Sequence, residues 1–142
     1  MMNVFHRIFL DTAPIIYYLE RNEEFYPIVK QFICNENRAS FFTSTVTVTE
    51  YLTIPYRKSD FESIQRFYEF IREMHITLCA IDRTAADLAA QIRGTYAGFK
   101  TMDALQLAVA RISRCELFLT NDRQLLQFRE LRCLTLSSLS ME

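Results

Sequence analysis

Short apolar runs alternate with helical periodicity from one end of this chain to the other, and that alternation restricts the fold more than any single residue does. Runs at 4–10 (VFHRIFL), 40–43 (SFFT), 76–80 (ITLCA), 117–120 (LFLT) and 133–136 (CLTL) are each short and nearly continuous in apolar or β-branched residues. Strands covered on both faces carry such runs, because neither face meets water. Longer segments of helical period separate them, and parallel strands joined by helical crossovers use that order of elements. The expected architecture is an α/β/α sandwich on a central, mainly parallel five-stranded sheet, with residues 1–142 as a single domain and a tail loose from about 137. A length of 142 residues suits one core, and a 50% hydrophobic content argues against disorder.

Helix signals refine this frame. Ser59 and Glu62 form a capping-box pattern opening a helix to Arg72, with Phe61, Ile64, Phe67, Tyr68 and Ile71 on one apolar face. Asp82 is placed to cap a helix that aligns Ala85, Leu88, Ala89 and Ile92, with Gly94 as a left-handed stop. Thr101 is expected to cap the next helix, in which Leu105, Ala108, Val109 and Ile112 form the buried stripe. Its small residues let that helix lie close to the sheet.

Four acidic residues stand where such a sheet binds ligands. Asp11 follows a strand candidate directly, Asp122 follows LFLTN, Asp103 opens a helix after Lys100-Thr101-Met102, and Glu50 lies within VTVTEYLTI. Ligands of open α/β sheets bind at the carboxyl ends of the strands. Carboxylates there can share a divalent cation, and hard oxygen ligands suit magnesium or manganese. Each acid also has an ordinary explanation. Asp11 can cap a helix with Pro14 in its first turn. Asp103 can favour a helix dipole, and Asp122 can cap after a strand while Asn121 makes an Asx-turn. Glu50, on a helical face with Val46 and Ile54, needs a basic partner or a shared cation if buried. Grouped together, the acids repel and raise one another's pKa values unless a cation neutralises them. A purely structural protein has little reason to carry that penalty.

Other features narrow the classes. The four cysteines, Cys34, Cys79, Cys115 and Cys133, form no C-x-x-C pair and read as buried, reduced thiols, which argues against zinc. The only histidines, His6 and His75, read as structural or surface residues, with no pair for metal-free ribonuclease chemistry. The first residues lack an apolar h-region, and no segment approaches the ~18 apolar residues of a membrane span. A soluble cytoplasmic protein is expected. The net charge of −1 is uninformative about nucleic acid, since an acidic cluster masks local basic patches in the sum. Lys100 and Arg123, beside Asp103 and Asp122, are the best candidates for phosphate contacts. Aromatics reach 13%, and Tyr17, Tyr18, Phe25 and Tyr26 read either as core or as a groove for a partner helix.

The ordered set LDTAPIIYYLE, Ser44 to Glu50, KTMDALQLAVA and FLTNDRQL resembles the PIN-domain ribonucleases, and within them the VapC-like toxins of toxin–antitoxin pairs. The likeness runs from about residue 8 to 136; order and spacing carry it, not any one motif. It implies a PIN-like fold and an Mg²⁺- or Mn²⁺-dependent endoribonuclease that hydrolyses RNA phosphodiester bonds to 5′-phosphate and 3′-hydroxyl ends. It also implies a small cognate antitoxin and a homodimer. Carried over by position, Asp11 and Asp103 become the most direct metal ligands, with Glu50 and Asp122 completing the acidic set. Thr12, Ser44, Thr120 and Asn121 match supporting polar positions. Ala13 departs from the Asn or Ser common after the Asp-Thr pair. It also lacks the second Asp of a haloacid-dehalogenase-type phosphotransferase. The acids come in the wrong order for a receiver domain, and no glycine-rich turn supports a nucleotide-binding fold. A non-catalytic PIN-like scaffold that binds RNA or protein is the remaining alternative, against which the four intact acids argue.

Overall fold

The computed structural model describes residues 4–139. In chain order it contains β1 (Arg7–Leu10), α1 (Thr12–Leu19), α2 (Tyr26–Asn35), β2 (Ser40–Ser44), α3 (Thr45–Arg57), α4 (Phe61–Glu73) and β3 (Thr77–Cys79). These are followed by α5 (Arg83–Thr95), α6 (Thr101–Ile112), β4 (Leu117–Thr120), a 3₁₀ turn (Arg123–Gln127), β5 (Arg132–Thr135) and α7 (Leu136–Leu139). The strands form one five-stranded sheet in the order β3-β2-β1-β4-β5, and every pairing is parallel. No helix among the described residues is long and apolar enough to cross a membrane.

The chain steps from β1 outward to β2 and β3, then crosses back to β4 and β5. Right-handed crossovers put the helices of the first leg on one face and those joining β3 to β4 on the other. The packing follows this rule. Ile8 and Leu10 pack with Ile15, Val29, Leu52 and Phe67 from the first four helices. Phe9, between them, packs with Ala89, Ala104, Leu107 and Ala108 from α5 and α6. β4 divides the same way: Leu117 and Leu119 face one layer, and Phe118 stacks on Phe9 in the other, with centroids 5.2 Å apart and rings 4° from parallel. An apolar run that looks continuous in sequence is thus two interleaved faces, each with its own core.

Several local expectations are corrected. β1 begins at Arg7, not at residue 4, because the Glu116 carboxylate accepts from the amides of His6 and Arg7 at the strand's start. β3 is the shorter Thr77–Cys79, and β5 ends at Thr135 because Leu136 opens α7. The tail expected to be loose is therefore helical through Leu139; its last residues, 140–142, lie outside the described residues. α4 is capped by Asp60, whose side chain accepts from the Ser63 amide at 3.1 Å, and not by a Ser59–Glu62 box. Phe61 and Tyr68 are exposed and Phe70 is buried, so the apolar face of α4 is rotated from the expected one. Asp82 caps α5 as expected, accepting from Ala85 at 2.9 Å, but Gly94 is an ordinary helical residue. Lys100, not Thr101, occupies the N-cap of α6. The buried arc of α6 runs through Ala104, Gln106, Leu107, Ala108, Val109 and Ala110 while Ile112 is exposed, because this helix packs on α5, β2 and α3 together. The cysteines are free thiols, but only Cys115 is buried; Cys79 and Cys133 are half-buried and Cys34 is exposed.

The left-handed helix ends fall elsewhere. Arg21, Ser59, His75 and Arg114, just past α1, α3, α4 and α6, all have φ between 52° and 58°. Each lies in a Schellman arrangement: at α3, Ser59 donates to the Tyr56 carbonyl and Asp60 to that of Pro55.

Candidate active site

In the strand order found here, β1 and β4 are neighbours from which the chain departs in opposite directions, and this leaves a crevice at their carboxyl ends. Asp11 stands at that point. Its amide donates to the Leu119 carbonyl at 2.9 Å, tying the end of β1 to β4. Its side chain caps α1: Oδ1 accepts from the Thr12 amide at 2.9 Å, and Oδ2 accepts from Thr120 Oγ1 at 2.8 Å. The capping role and the strand-end position coexist in one residue. Asp122 caps the 3₁₀ turn, accepting from the Gln124 amide at 3.0 Å, while its own amide donates to Thr120 Oγ1 at 3.1 Å. The Thr120 hydroxyl therefore links the two aspartates that follow β1 and β4.

Asp103 lies in the first turn of α6 and is half-buried. Glu50 lies on α3 and accepts from Thr12 Oγ1 at 2.6 Å. It does not share a buried face with Val46 and Ile54, as its spacing implied: Val46 is buried, whereas Ile54 is 55% exposed and Glu50 itself faces solvent. No burial penalty then demands a basic partner.

The acids act on one another. Burial pushes the Asp11 carboxyl up to about 6; hydrogen bonds from Thr120 and Thr12 oppose this, and the charges of Asp103 and Glu50 add to it. Asp103 is also raised, by burial first and then by Asp122 and Glu50, with Lys100 opposing. Among the described residues, no three His, Cys, Asp or Glu side chains stand as a ready-made metal cage. The donors are nonetheless carboxylates and hydroxyls that share one electrostatic field, and such hard oxygen groups fit a divalent cation, which would relieve their repulsion.

The supporting positions are occupied as follows. Thr12 bonds Glu50, and Thr120 bonds Asp11. Ser44 caps α3, accepting from the Val46 amide at 3.1 Å, and donates to Gln106. The Asn121 amide reaches Tyr17 Oη at 3.4 Å, and its oxygen accepts from Ser137 at 3.4 Å. Lys100 and Arg123 are exposed beside their acids. Four buried polar residues escaped the sequence reading: Thr43, Thr47, Gln106 and, at the end of β5, Thr135. Gln106 was detectable as the lone polar residue inside ALQLAVA, and Thr47 as a residue one turn before Glu50.

Fold and site define a parallel α/β domain with an acidic crevice at its switch point. The model of the PIN domain family matches residues 8–131, and the chain belongs to that family. Solved structures share the fold. VapBC2 from Rickettsia felis, bound to a promoter DNA fragment, is 12% identical with a TM-score of 0.71, over 91% of this chain and 98% of that one. A toxin–antitoxin complex from Klebsiella pneumoniae is 19% identical with a TM-score of 0.67, over 91% and 97%. VapC20 of Mycobacterium tuberculosis, a toxin that cleaves the sarcin–ricin loop, is 16% identical with a TM-score of 0.67, over 88% and 98%. No curated protein sequence matches the chain.

Proposed function

We propose that this protein is a divalent-metal-dependent endoribonuclease and the toxin of a toxin–antitoxin pair. The observation that carries the reading is the gathering of four acids at the switch point of a PIN fold, where the charges of Asp103 and Glu50 act on buried Asp11 and those of Asp122 and Glu50 act on Asp103. Asp11 and Asp103 would hold Mg²⁺ or Mn²⁺, with Glu50 and Asp122 completing the oxygen set. The cation, when bound, activates water and neutralises charge on the scissile phosphate. Thr12 and Thr120 keep Glu50 and Asp11 oriented, and Asp122 is held by its cap. Lys100 and Arg123, exposed at the rim, contact RNA phosphates. Purified protein incubated with RNA and Mg²⁺ or Mn²⁺ tests this. Cleavage should vanish with EDTA and in Asp11→Asn and Asp103→Asn, and cleavage that survives them points to a contaminant.

The partner is a small antitoxin. Among the structural relatives are toxin–antitoxin complexes. A groove of about 180 Å³ runs between α1, α2 and α4, lined by Tyr18, Tyr26 and Phe70 with Arg21, Arg66 and Glu73 around them. Tyr18 packs on both Tyr26 and Phe70, with centroids 5.2 and 5.1 Å away. The space suits one or two anchoring side chains of a partner helix lying across it. Co-purification with the product of an adjacent small reading frame tests the pairing. Light scattering after size exclusion tests the homodimer that the family likeness implies.

A further inference from the structure

Gln106 is 1% exposed, a polar side chain among the largest fully buried ones, which are otherwise apolar. An apolar residue of the same size would complete the buried arc of α6, so packing alone gives no reason for an amide here. The amide meets polar atoms from three other elements. Its Oε1 accepts from Ser44 Oγ. Its Nε2 lies 2.9 Å from Thr47 Oγ1, 3.3 Å from Thr12 Oγ1 and 3.4 Å from Asp11 Oδ1.

Proton accounting determines which way the amide faces. Ser44 Oγ accepts from the Val46 amide and donates its own proton to Gln106 Oε1. Thr12 donates to Glu50, and Thr43 donates to the Leu10 carbonyl at 2.8 Å. With the Thr43 proton committed, the 2.8 Å contact between Thr43 and Thr47 has Thr47 as donor. Thr12 and Thr47, 3.1 Å apart, then have no proton left for each other or for the amide. Three acceptors converge on Nε2, and only an N–H donor can face them. One N–H serves Thr47, and the other is shared by Thr12 and Asp11. Thr12 in turn holds Glu50.

We propose that Gln106 is a positioning residue for the acidic centre: its amide holds Asp11 directly and Glu50 through Thr12 in one arrangement suited to a shared divalent cation. The inference rests on the metal-dependent reading above. α6 thereby delivers two parts of the site from adjacent turns, the Asp103 carboxylate and the clamp on Asp11. Groups that orient metal ligands from behind affect metal affinity or activity by about 10–100-fold.

The test is calorimetric titration of wild type, Gln106→Met and Thr47→Val with Mn²⁺, each shown folded by circular dichroism and thermal melting, with RNA turnover measured in parallel. Met keeps the length and volume of Gln106 and removes its donors; Val removes the nearest acceptor. Gln106→Met should weaken Mn²⁺ binding by about tenfold or more and lower kcat by about 10–100-fold. KM for RNA should stay within about twofold, because the residue touches no solvent-facing surface. Thr47→Val should shift both quantities the same way, by about 3–10-fold, and decides the matter if Gln106→Met does not fold. Folded variants that bind Mn²⁺ as wild type does overturn the clamp alone. A wild-type protein that binds no Mn²⁺ overturns the metal reading, and the clamp with it.

Discussion

Thr12 donates its hydroxyl proton to Glu50 at 2.6 Å across 38 positions of sequence. The bond joins the residue after Asp11 to the acid that faces solvent, and so connects the buried and exposed parts of the site. Thr12→Val keeps the shape and removes the donor. Turnover should fall by about tenfold, in the range for partners that orient metal ligands. Stability should fall by about 1–2 kcal/mol, because Glu50 can be hydrated once released but the buried Gln106 amide loses one of its acceptors. Single-turnover cleavage and urea denaturation measure the two effects separately.

The buried Asp11 carboxyl predicts an unusual pH dependence for the metal-free protein. Its pKa is about 6 in the folded chain against an ordinary 3.8, so between those values the folded state binds more protons than the unfolded state. Stability therefore rises as pH falls from 7 toward 4. The destabilisation, on the order of 3 kcal/mol from this one group, is fully present above the folded value and gone below the unfolded one. Asp103, also raised, adds in the same direction. Asp11→Asn should flatten the slope and make the metal-free protein more stable at pH 7, while abolishing cleavage. Denaturation in EDTA at pH 5, 6 and 7 reads this directly; a wild type that loses stability on acidification over that range contradicts it.

Thiol reactivity should single out Cys34. It is exposed, whereas burial pushes Cys115 and Cys133 up to about 12, which leaves them protonated and slow. Native protein treated with a thiol-reactive disulfide at pH 8 should show one fast equivalent, and Cys34→Ser should remove it without moving Tm. Two fast equivalents would mean that half-buried Cys79 opens readily.

Phe118→Ala should be among the most damaging core substitutions. Phe118 is fully buried on β4 and stacks on Phe9 of β1, the strand pair that carries the crevice. A loss of about 3–5 kcal/mol is expected from the cavity and the lost burial. Chemical denaturation checks it, and the m-value should be unchanged if only stability is affected.

The sheet and the positions of the acids were readable because both depend on short-range patterns. Five apolar runs marked five strands; Asp11 follows the first without a gap, and Asp122 follows the fourth after Asn121 alone. Helix faces were less readable. α6 contacts α5, β2 and α3, so its buried arc is wider than a single stripe and takes in Gln106, which an apolar template skips. Glu50 looked buried because Ile54 is apolar, yet α3 leaves both facing water. One helix end was misjudged where glycine was the expected marker: Gly94 does not have positive φ, and charged or polar residues fill the left-handed positions. The network that joins Thr43, Thr47 and Thr12 through the Gln106 amide depends on which protons are already committed, and spacing does not encode that.

Those helix ends also say something about how far this protein is from its thermal ceiling. Arg21, Ser59, His75 and Arg114 each hold a side chain in a conformation that is sterically disfavoured for L-residues by about 1–2 kcal/mol; glycine escapes that clash, at an entropic cost that offsets part of the gain. The chain thus keeps four separate reserves of heat resistance unused, none of them among its acidic residues, and a version that drew on them could be hardened with the chemistry at the crevice left as it is.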